Sequence, residues 1–251
     1  MRSVVPGSGR PVEHAVVFGQ VADVYHRSRP GYPAEAVEWL VGNTPRRVLD
    51  LGAGTGKLTA ALVAAGHEVV AVEPSAQMRA TLRTNVPNVD AREGRAEAIP
   101  VPDADVDAVV VAQAFHWFDH ALAVPEIARV LRPSGRLALA WNLRDTTTPW
   151  VAELSQVIGS ADANLAEVPP SVRASRPHFE VFEVAQFGHS QRLHRDHLLG
   201  LVRSRSYVAV RPVDEQNEIL ARVAELFDRF AKSGELVMHY VTHCYRGTRN
   251  A

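Results

Sequence analysis

The run Arg47-Val48-Leu49-Asp50-Leu51-Gly52-Ala53-Gly54-Thr55-Gly56 constrains this chain more than any other stretch. A β-branched and aliphatic segment ends in an acid, glycines follow at alternate positions, and a helical pattern starts at Lys57. That order predicts a buried strand turning sharply into a helix through a loop almost bare of side chains. Glycine permits positive φ there and lets a ligand lie against the backbone. The helix start adds unpaired N–H groups. A nucleotide-like ligand at the end of a first strand is the expectation.

Apolar runs bounded by turn residues predict strands at Arg47–Leu51, Glu68–Glu73, Val89–Glu93, Val106–Gln113 and Arg136–Asn142. Helical patterns at Lys57–Ala65, Ser75–Thr84 and Ala121–Leu131 fall between them, the second with Ser75 as N-cap. Strand and helix alternating at short spacing predict a parallel sheet covered on both faces. Val109-Val110-Val111 has no polar alternation, as a central strand requires. The last third reads differently. Phe182–Leu193 and Leu236–Tyr245 read as strands bracketing helices at Asp196–Arg203 and Asp214–Phe230. Ile219, Leu220, Val223, Leu226, Phe227 and Phe230 form one stripe of the longer helix. This pattern predicts an antiparallel ending to the sheet, with helices over its ligand edge. Ala161–Pro177 reads as a flexible loop.

The 251 residues suit one large domain. The reading divides it into an N-terminal cap segment (1–45), a cofactor-binding core (46–145) and a helical cover with the final strands (146–251). A net charge of −1 with scattered basic residues argues against a nucleic-acid partner. A single cysteine, Cys244, excludes an internal disulfide and fits a reducing, cytoplasmic setting. No apolar run approaches a membrane span. Met1–Pro11 lacks the apolar core of a secretory signal and reads as a frayed leader.

The residues around the glycines narrow the ligand. Glu73 closes the second strand about twenty residues past Gly52, where an acid accepts from both hydroxyls of an unphosphorylated ribose. The glycine spacing differs from the dinucleotide fingerprint, and Asp50 suits a positive α-amino group. A sulfonium, in turn, prefers a site without a cation at the glycine turn. Together these features fit S-adenosylmethionine.

Val48–Thr59, Val70–Met78, Gly94–Pro100 and Ala104–Asp119 resemble successive motifs of the class I S-adenosylmethionine-dependent methyltransferases. The resemblance spans roughly Phe18 to Asp145 and implies a Rossmann-like α/β fold, a doubly wound sheet of seven strands with the last antiparallel. It sets Asp50, Gly52, Gly54 and Gly56 along the methionine part of the cofactor, Glu73 at the ribose and Met78 against the adenine. It sets Ala96 and Glu97 at the adenine edge and Gln113 beside the methionine. Many relatives carry Asp where this chain has Arg95, and Arg cannot accept the adenine amino hydrogen bond. The segment Phe18-Gly19, Tyr25, Arg29-Pro30-Gly31-Tyr32-Pro33 is similar to that of small-molecule members, including the trans-aconitate methyltransferase group. By that similarity Tyr25 and Arg29 cap the cofactor, with Arg29 near its carboxylate, and Tyr32 faces the acceptor. Pinning of a surface helix is the other reading of Tyr25 and Arg29.

Doubly wound sheets bind ligands beyond the C-terminal strand ends. Phe115-His116-Trp117-Phe118 follows the fourth strand, so His116 is the candidate general base and Trp117 a candidate pocket wall. A loop-orienting hydrogen bond is the alternative for His116. Trp141 and Asn142 end the fifth strand, and Tyr207, Tyr240 and His243 are candidate acceptor contacts. Arg205 could hold an anionic acceptor or be a solvated helix charge. The C-terminal histidines match no standard zinc spacing, so no metal is expected. The expected reaction is methyl transfer to a small molecule, first to a carboxylate oxygen, with a sugar or secondary-metabolite hydroxyl as the alternative. A nicotinamide-dependent oxidoreductase, a nucleic-acid methyltransferase and a non-catalytic binding module are the competing classes. Monomer and homodimer both stay open.

Overall fold

A computed structural model of the protein describes residues 26, 28–159, 172, 175 and 178–250. The leader, Phe18-Gly19, Tyr25 and most of the Ala161–Pro177 loop lie outside the described residues. The chain runs α1 (Ala34–Val41), β1 (Arg47–Leu51), α2 (Lys57–Ala64), β2 (Glu68–Val72), α3 (Ala76–Asn85), β3 (Asp90–Arg92) and β4 (Val106–Ala112). A 3-10 turn (Phe115–Trp117) leads into α4 (His120–Val130) and β5 (Leu131–Arg144). Then come α5 (Pro149–Ile158), β6 (Glu183–Leu193), α6 (Arg195–Arg203), α7 (Ser206–Ala209), α8 (Val213–Phe230) and β7 (Leu236–Thr248).

The strands form one seven-stranded sheet in the order β3-β2-β1-β4-β5-β7-β6. The five core strands pair in parallel, and β7 runs antiparallel between β5 and β6. The order reverses between β1 and β4, which opens a crevice at their C-terminal ends. The sheet is the doubly wound arrangement that the alternation predicted, with β7 as its antiparallel last strand.

Alternation along the strands sends side chains to opposite faces. Leu49, Val70, Val109, Val111, Leu139 and Tyr245 pack with Ile127 of α4 on one face. Val48, Val69, Ala108, Val110, Ala140 and Cys244 pack with Leu40 of α1 and Leu62 of α2 on the other. Val109, Val110 and Val111 are wholly buried, each worth roughly 1.5–3 kcal/mol relative to exposure. A third cluster, from Trp150, Leu154, Leu198, Leu201, Val223 and Phe227, seals the cover helices onto Met238 and Tyr240 of β7.

Several elements differ from the sequence expectation. The helix α1 emerges after Pro33, burying Ala36, Val37, Leu40 and Val41. The helix α5 starts on Pro149 and stops at Gly159, which has φ 67°; both residues are standard helix punctuation. The strand β5 starts at Leu131 rather than Arg136. The Pro133-Ser134-Gly135 segment bulges inside it, shifting its register on β4 from Val106↔Leu131 to Ala108↔Arg136. Ser134 takes φ 60° there.

Candidate active site

The sharp turn after β1 is held by the neighbouring strand. Gly52 and Ala53 N–H groups both donate to Val72 O of β2, at 2.8 and 3.1 Å. Gly52 has φ 74°, and a Cβ there would sit 2.9 Å from Ala114 Cβ. Gly54 has φ 55°, and a Cβ there would meet nothing within 4 Å. The first glycine is required by packing, whereas the second presents bare backbone to an open cleft. Gly56 closes the loop as the N-cap of α2, against Leu82.

Two buried acids flank this loop. Asp50 Oδ2 accepts from Thr59 Oγ1 at 2.6 Å. Burial pushes its pKa up to about 7, the Thr59 bond opposes that, and the nearby Glu73 carboxylate adds to it. Glu73 accepts from Gly54 N at 3.0 Å through Oε2 and from Ser75 N at 2.9 Å through Oε1. Burial raises its pKa too, against those bonds and the Arg79 charge. One lone pair on each Glu73 oxygen is left for further donors. Met78 is buried at the first turn of α3, whose Ser75 cap accepts its N–H at 3.3 Å.

Arg29, Pro30, Tyr32, Asp50, Gly52, Ala53, Gly54, Thr55, Lys57, Leu58, Ala112, Gln113, Asn142, Arg205 and Tyr240 line an open cleft at the crevice. Gln113 sits at the end of β4 with φ 58° and donates from Nε2 to Asn142 O at 3.1 Å. Asn142 in turn donates from Nδ2 to Gly31 O at 2.9 Å and accepts from Thr242 Oγ1 at 2.6 Å. The segment before α1 is thereby tied over the cleft. Arg29 Nη2 donates to Ser204 O at 3.1 Å, which joins the same segment to the cover. His26 Nδ1 lies 3.0 Å from Thr55 Oγ1 on the glycine loop. Arg205 is half-buried at the cleft's far wall. Desolvation, then the charges of Arg29 and Arg144, push its pKa down to about 10.

A family profile, the methyltransferase domain, matches residues 49–139. A Mycobacterium tuberculosis protein designated an uncharacterized methyltransferase is 46% identical over 235 residues, covering 92% of this chain and 95% of its own. The chain belongs to the class I S-adenosylmethionine-dependent methyltransferases. A malonyl-[acyl-carrier protein] O-methyltransferase of Methylococcus capsulatus is 42% identical over 106 residues, 40% of this chain and 38% of its own. The crystal structure of YcgJ protein from Bacillus subtilis shares the fold at TM-score 0.52 and 21% identity, over 86% of this methyltransferase and 96% of that chain. These comparisons give the nicotinamide alternative no support.

S-adenosylmethionine is the cofactor of this methyltransferase, and the residues present fit it. The open face of Gly54 accommodates a ligand that a Cβ would obstruct. Asp50 and Glu73 supply negative charge where the cofactor's positive groups and ribose hydroxyls are expected. One feature departs from the sequence reading. Lys57 places a cation on the cleft wall directly after Gly56, and burial pushes its pKa down.

The cleft brings together Arg29, Tyr32, Asp50, Gly52, Gly54, Gln113, Asn142, Arg205 and Tyr240 of the predicted site. Gly56, Glu73 and Met78 adjoin it through the glycine loop and α3. Ala96 is buried, while Glu97 Oε1 accepts from Asp119 N at 3.0 Å and Oε2 lies 3.5 Å from Arg95 Nε. Both Glu97 oxygens therefore have partners within the protein.

The methyltransferase does not bring Trp141, His243, His116 or Trp117 to the cleft. Trp141 and His243 pair across β5 and β7, and they lie an odd number of residues from Asn142 and Tyr240 on their own strands, one and three respectively. They occupy the opposite face of the sheet, where Trp141 meets Tyr245 edge-on at 5.7 Å. Trp141 Nε1 donates to His116 Nδ1 at 3.4 Å. Desolvation of the ring, then the charge of His120, push the His116 pKa down to about 4, although the residue as a whole is exposed. A neutral imidazole whose Nδ1 accepts from an indole carries its proton on Nε2 and is a weak base. Trp117 is exposed beside it, with ring centroids 4.8 Å apart. Tyr207 is half-buried in the cover cluster.

Sequence reasoning missed Thr59, Thr242 and Arg144. Thr59 lies nine residues past Asp50, too far for a local motif. Thr242 and Arg144 meet the site only through the β5–β7 pairing. Among the described residues no three His, Cys, Asp or Glu gather where they could hold one metal ion. No described helix is long and apolar enough to cross a membrane.

Proposed function

We propose that this methyltransferase methylates a carboxylate oxygen of a small molecule. The observation that carries the reading is Arg205, a desolvated guanidinium on the cleft wall that neighbours Arg29 and Arg144. Among the described residues no Asp or Glu side chain forms an ion pair with it. The desolvated charge of Arg205 itself is costly, and a carboxylate arriving beside it relieves the cost with bidentate hydrogen bonds.

The chemistry fits the same acceptor. When bound, S-adenosylmethionine supplies a methyl group on a cationic sulfur, and displacement needs the acceptor oxygen in line behind that carbon. Holding the two reactants so is worth several kcal/mol, roughly 7–11 for an ideal arrangement. A carboxylate is already ionised at neutral pH and needs no base. A hydroxyl acceptor requires one, and His116, off the cleft wall and with its Nδ1 engaged by Trp141, is poorly suited to the task. The likeness over 106 residues to a malonyl-[acyl-carrier protein] O-methyltransferase supports the same class. In this reading residues 1–45 cap the site, 46–145 hold the cofactor and 146–251 hold the acceptor, as one domain.

The test is labelled-methyl incorporation across a panel of short carboxylic acids, their primary amides and matched alcohols. Acids are expected to accept the label while the amides do not. Incorporation into alcohols or amides, with none into acids, overturns the reading.

A further inference from the structure

Four polar side-chain atoms are buried with no hydrogen-bond partner among the described residues, one on the cleft wall at Arg205 and three on residues behind that wall. They are Arg205 Nε, Tyr207 Oη, Gln191 Oε1 and His189 Nε2. An orphaned buried polar atom costs about 1–3 kcal/mol, so four in one neighbourhood call for a cause.

Their surroundings tie them to one place. Arg205 lines the cleft, and Tyr207 and Tyr240 are close enough to act on its charge. Gln191 donates from Nε2 to Ser28 O at 3.2 Å, directly before Arg29. His189 lies two residues along β6 on the same face and stacks on Tyr240, with centroids 5.3 Å apart and planes at 19°. Tyr240 itself lines the cleft.

Hydrogen-bond accounting assigns the polarity of each orphan. The Gln191 Nε2 faces a carbonyl, so its amide oxygen is the orphan, and it can only accept. The Asn142 amide nitrogen also faces a carbonyl, Gly31 O, so its oxygen receives the Thr242 hydroxyl hydrogen. Thr242 Oγ1 then has no hydrogen left for His189 Nδ1, 3.3 Å away. With the backbone carbonyl of Phe187 also beside the ring as an acceptor, the arrangement favours the proton on Nδ1, with Nε2 left as the acceptor. Burial lowers the His189 pKa, in keeping with a neutral ring. The subsite thus offers a donor at Arg205, two acceptors at Gln191 and His189, and a hydroxyl of either sense at Tyr207.

Resting on the carboxylate reading above, we propose that the acceptor is a carboxylic acid bearing its own hydrogen-bond donor, a hydroxyl or an amide N–H. The acid meets Arg205, and the donor meets Gln191 Oε1 and His189 Nε2. A plain aliphatic acid leaves both acceptors stranded, and sites built to receive a hydroxyl or N–H discriminate strongly against analogues that lack it.

Calorimetry on the S-adenosylhomocysteine-loaded protein tests this with matched probes. Malate against succinate examines a hydroxyl, and N-acetylglycine against levulinate examines an amide N–H. The donor-bearing member of at least one pair is expected to bind about tenfold more tightly, the equivalent of one lost hydrogen bond. Gln191→Met should bring that ratio close to one with unchanged S-adenosylhomocysteine affinity. His189→Phe keeps the ring stacked on Tyr240 and should do the same, which guards against a general disturbance of the cap by the Gln191 change. Acids that bind without discrimination, or discrimination that survives in both variants, overturn this inference and leave the carboxylate reading standing. If no acid binds at all, the carboxylate reading fails, and this inference fails with it.

Discussion

Arg205→Met is expected to make the protein more stable and less able to hold its acceptor. In the fold, the Arg205 guanidinium lies at about 10 instead of its usual 12.5, which is worth roughly 3 kcal/mol against the charged form. Solvent in the open cleft screens part of this, leaving about 1–2 kcal/mol. The sign follows from linkage. The folded value lies below the unfolded one, and at pH 7.5 both states carry the charge, so the penalty is fully present. It fades only as pH rises through about 10. Removing the charge should therefore raise the melting temperature by about 3–6 °C at pH 7.5 for a chain of this length. Methionine keeps an unbranched apolar stem in the same space. Loss of the charge-assisted bonds should weaken an acid acceptor by roughly 10–100-fold. Differential scanning calorimetry and isothermal titration with an accepted acid read the two effects. A lower melting temperature, or unchanged acid affinity, would refute the assignment of Arg205 to an anion site held at the expense of stability.

Gly52→Ala imposes a left-handed backbone on a residue with a Cβ and drives that atom against Ala114. Denaturant unfolding should show a loss of about 2–5 kcal/mol, and a loss below about 0.5 kcal/mol contradicts the packing argument. Asp50, pushed up to about 7, is largely protonated at pH 5.5 and ionised at pH 8.5. Its carboxylate favours the cofactor's ammonium only when ionised, so calorimetric affinity for S-adenosylhomocysteine should rise as pH rises through about 7 and stay flat in Asp50→Asn. A flat wild-type profile removes Asp50 from that role. His116→Ala should change turnover on a carboxylic acid by less than about threefold, because loss of a true general base costs roughly 100-fold or more. A drop of that larger size restores His116 to the chemistry.

The shape of the glycine-loop end of the candidate site was legible because it is local. The Gly52–Gly56 loop, Asp50 and Ser75 each sit within a few residues of the element they shape, and strand alternation announced the sheet. The acceptor half was not legible for the opposite reason. Whether Trp141 or Asn142 faces the cleft depends on strand phase, and a one-residue change moves a side chain to the other face. Trp141 took the α4 face and Asn142 the cleft face, which the adjacency of the two residues could not reveal. Thr242, His189 and Gln191 reach the site through pairing across more than fifty residues of sequence or from the outermost strand β6. The helices α1 and α5 did carry signals. Ala36, Val37, Leu40 and Val41 fall on one helical stripe, and Pro149 with Gly159 mark a start and a stop. The first of them falls within the segment read as an N-terminal cap, without a helix assigned to it.

The alkali lability of the transferred methyl group tests the central claim most directly. The protein is incubated with methyl-labelled S-adenosylmethionine and a low-molecular-mass extract, and the products are treated with mild base. A methyl ester hydrolyses and releases the label as volatile methanol, which is the predicted result. Label that stays fixed after base marks an ether, amine or carbon methyl and contradicts the account.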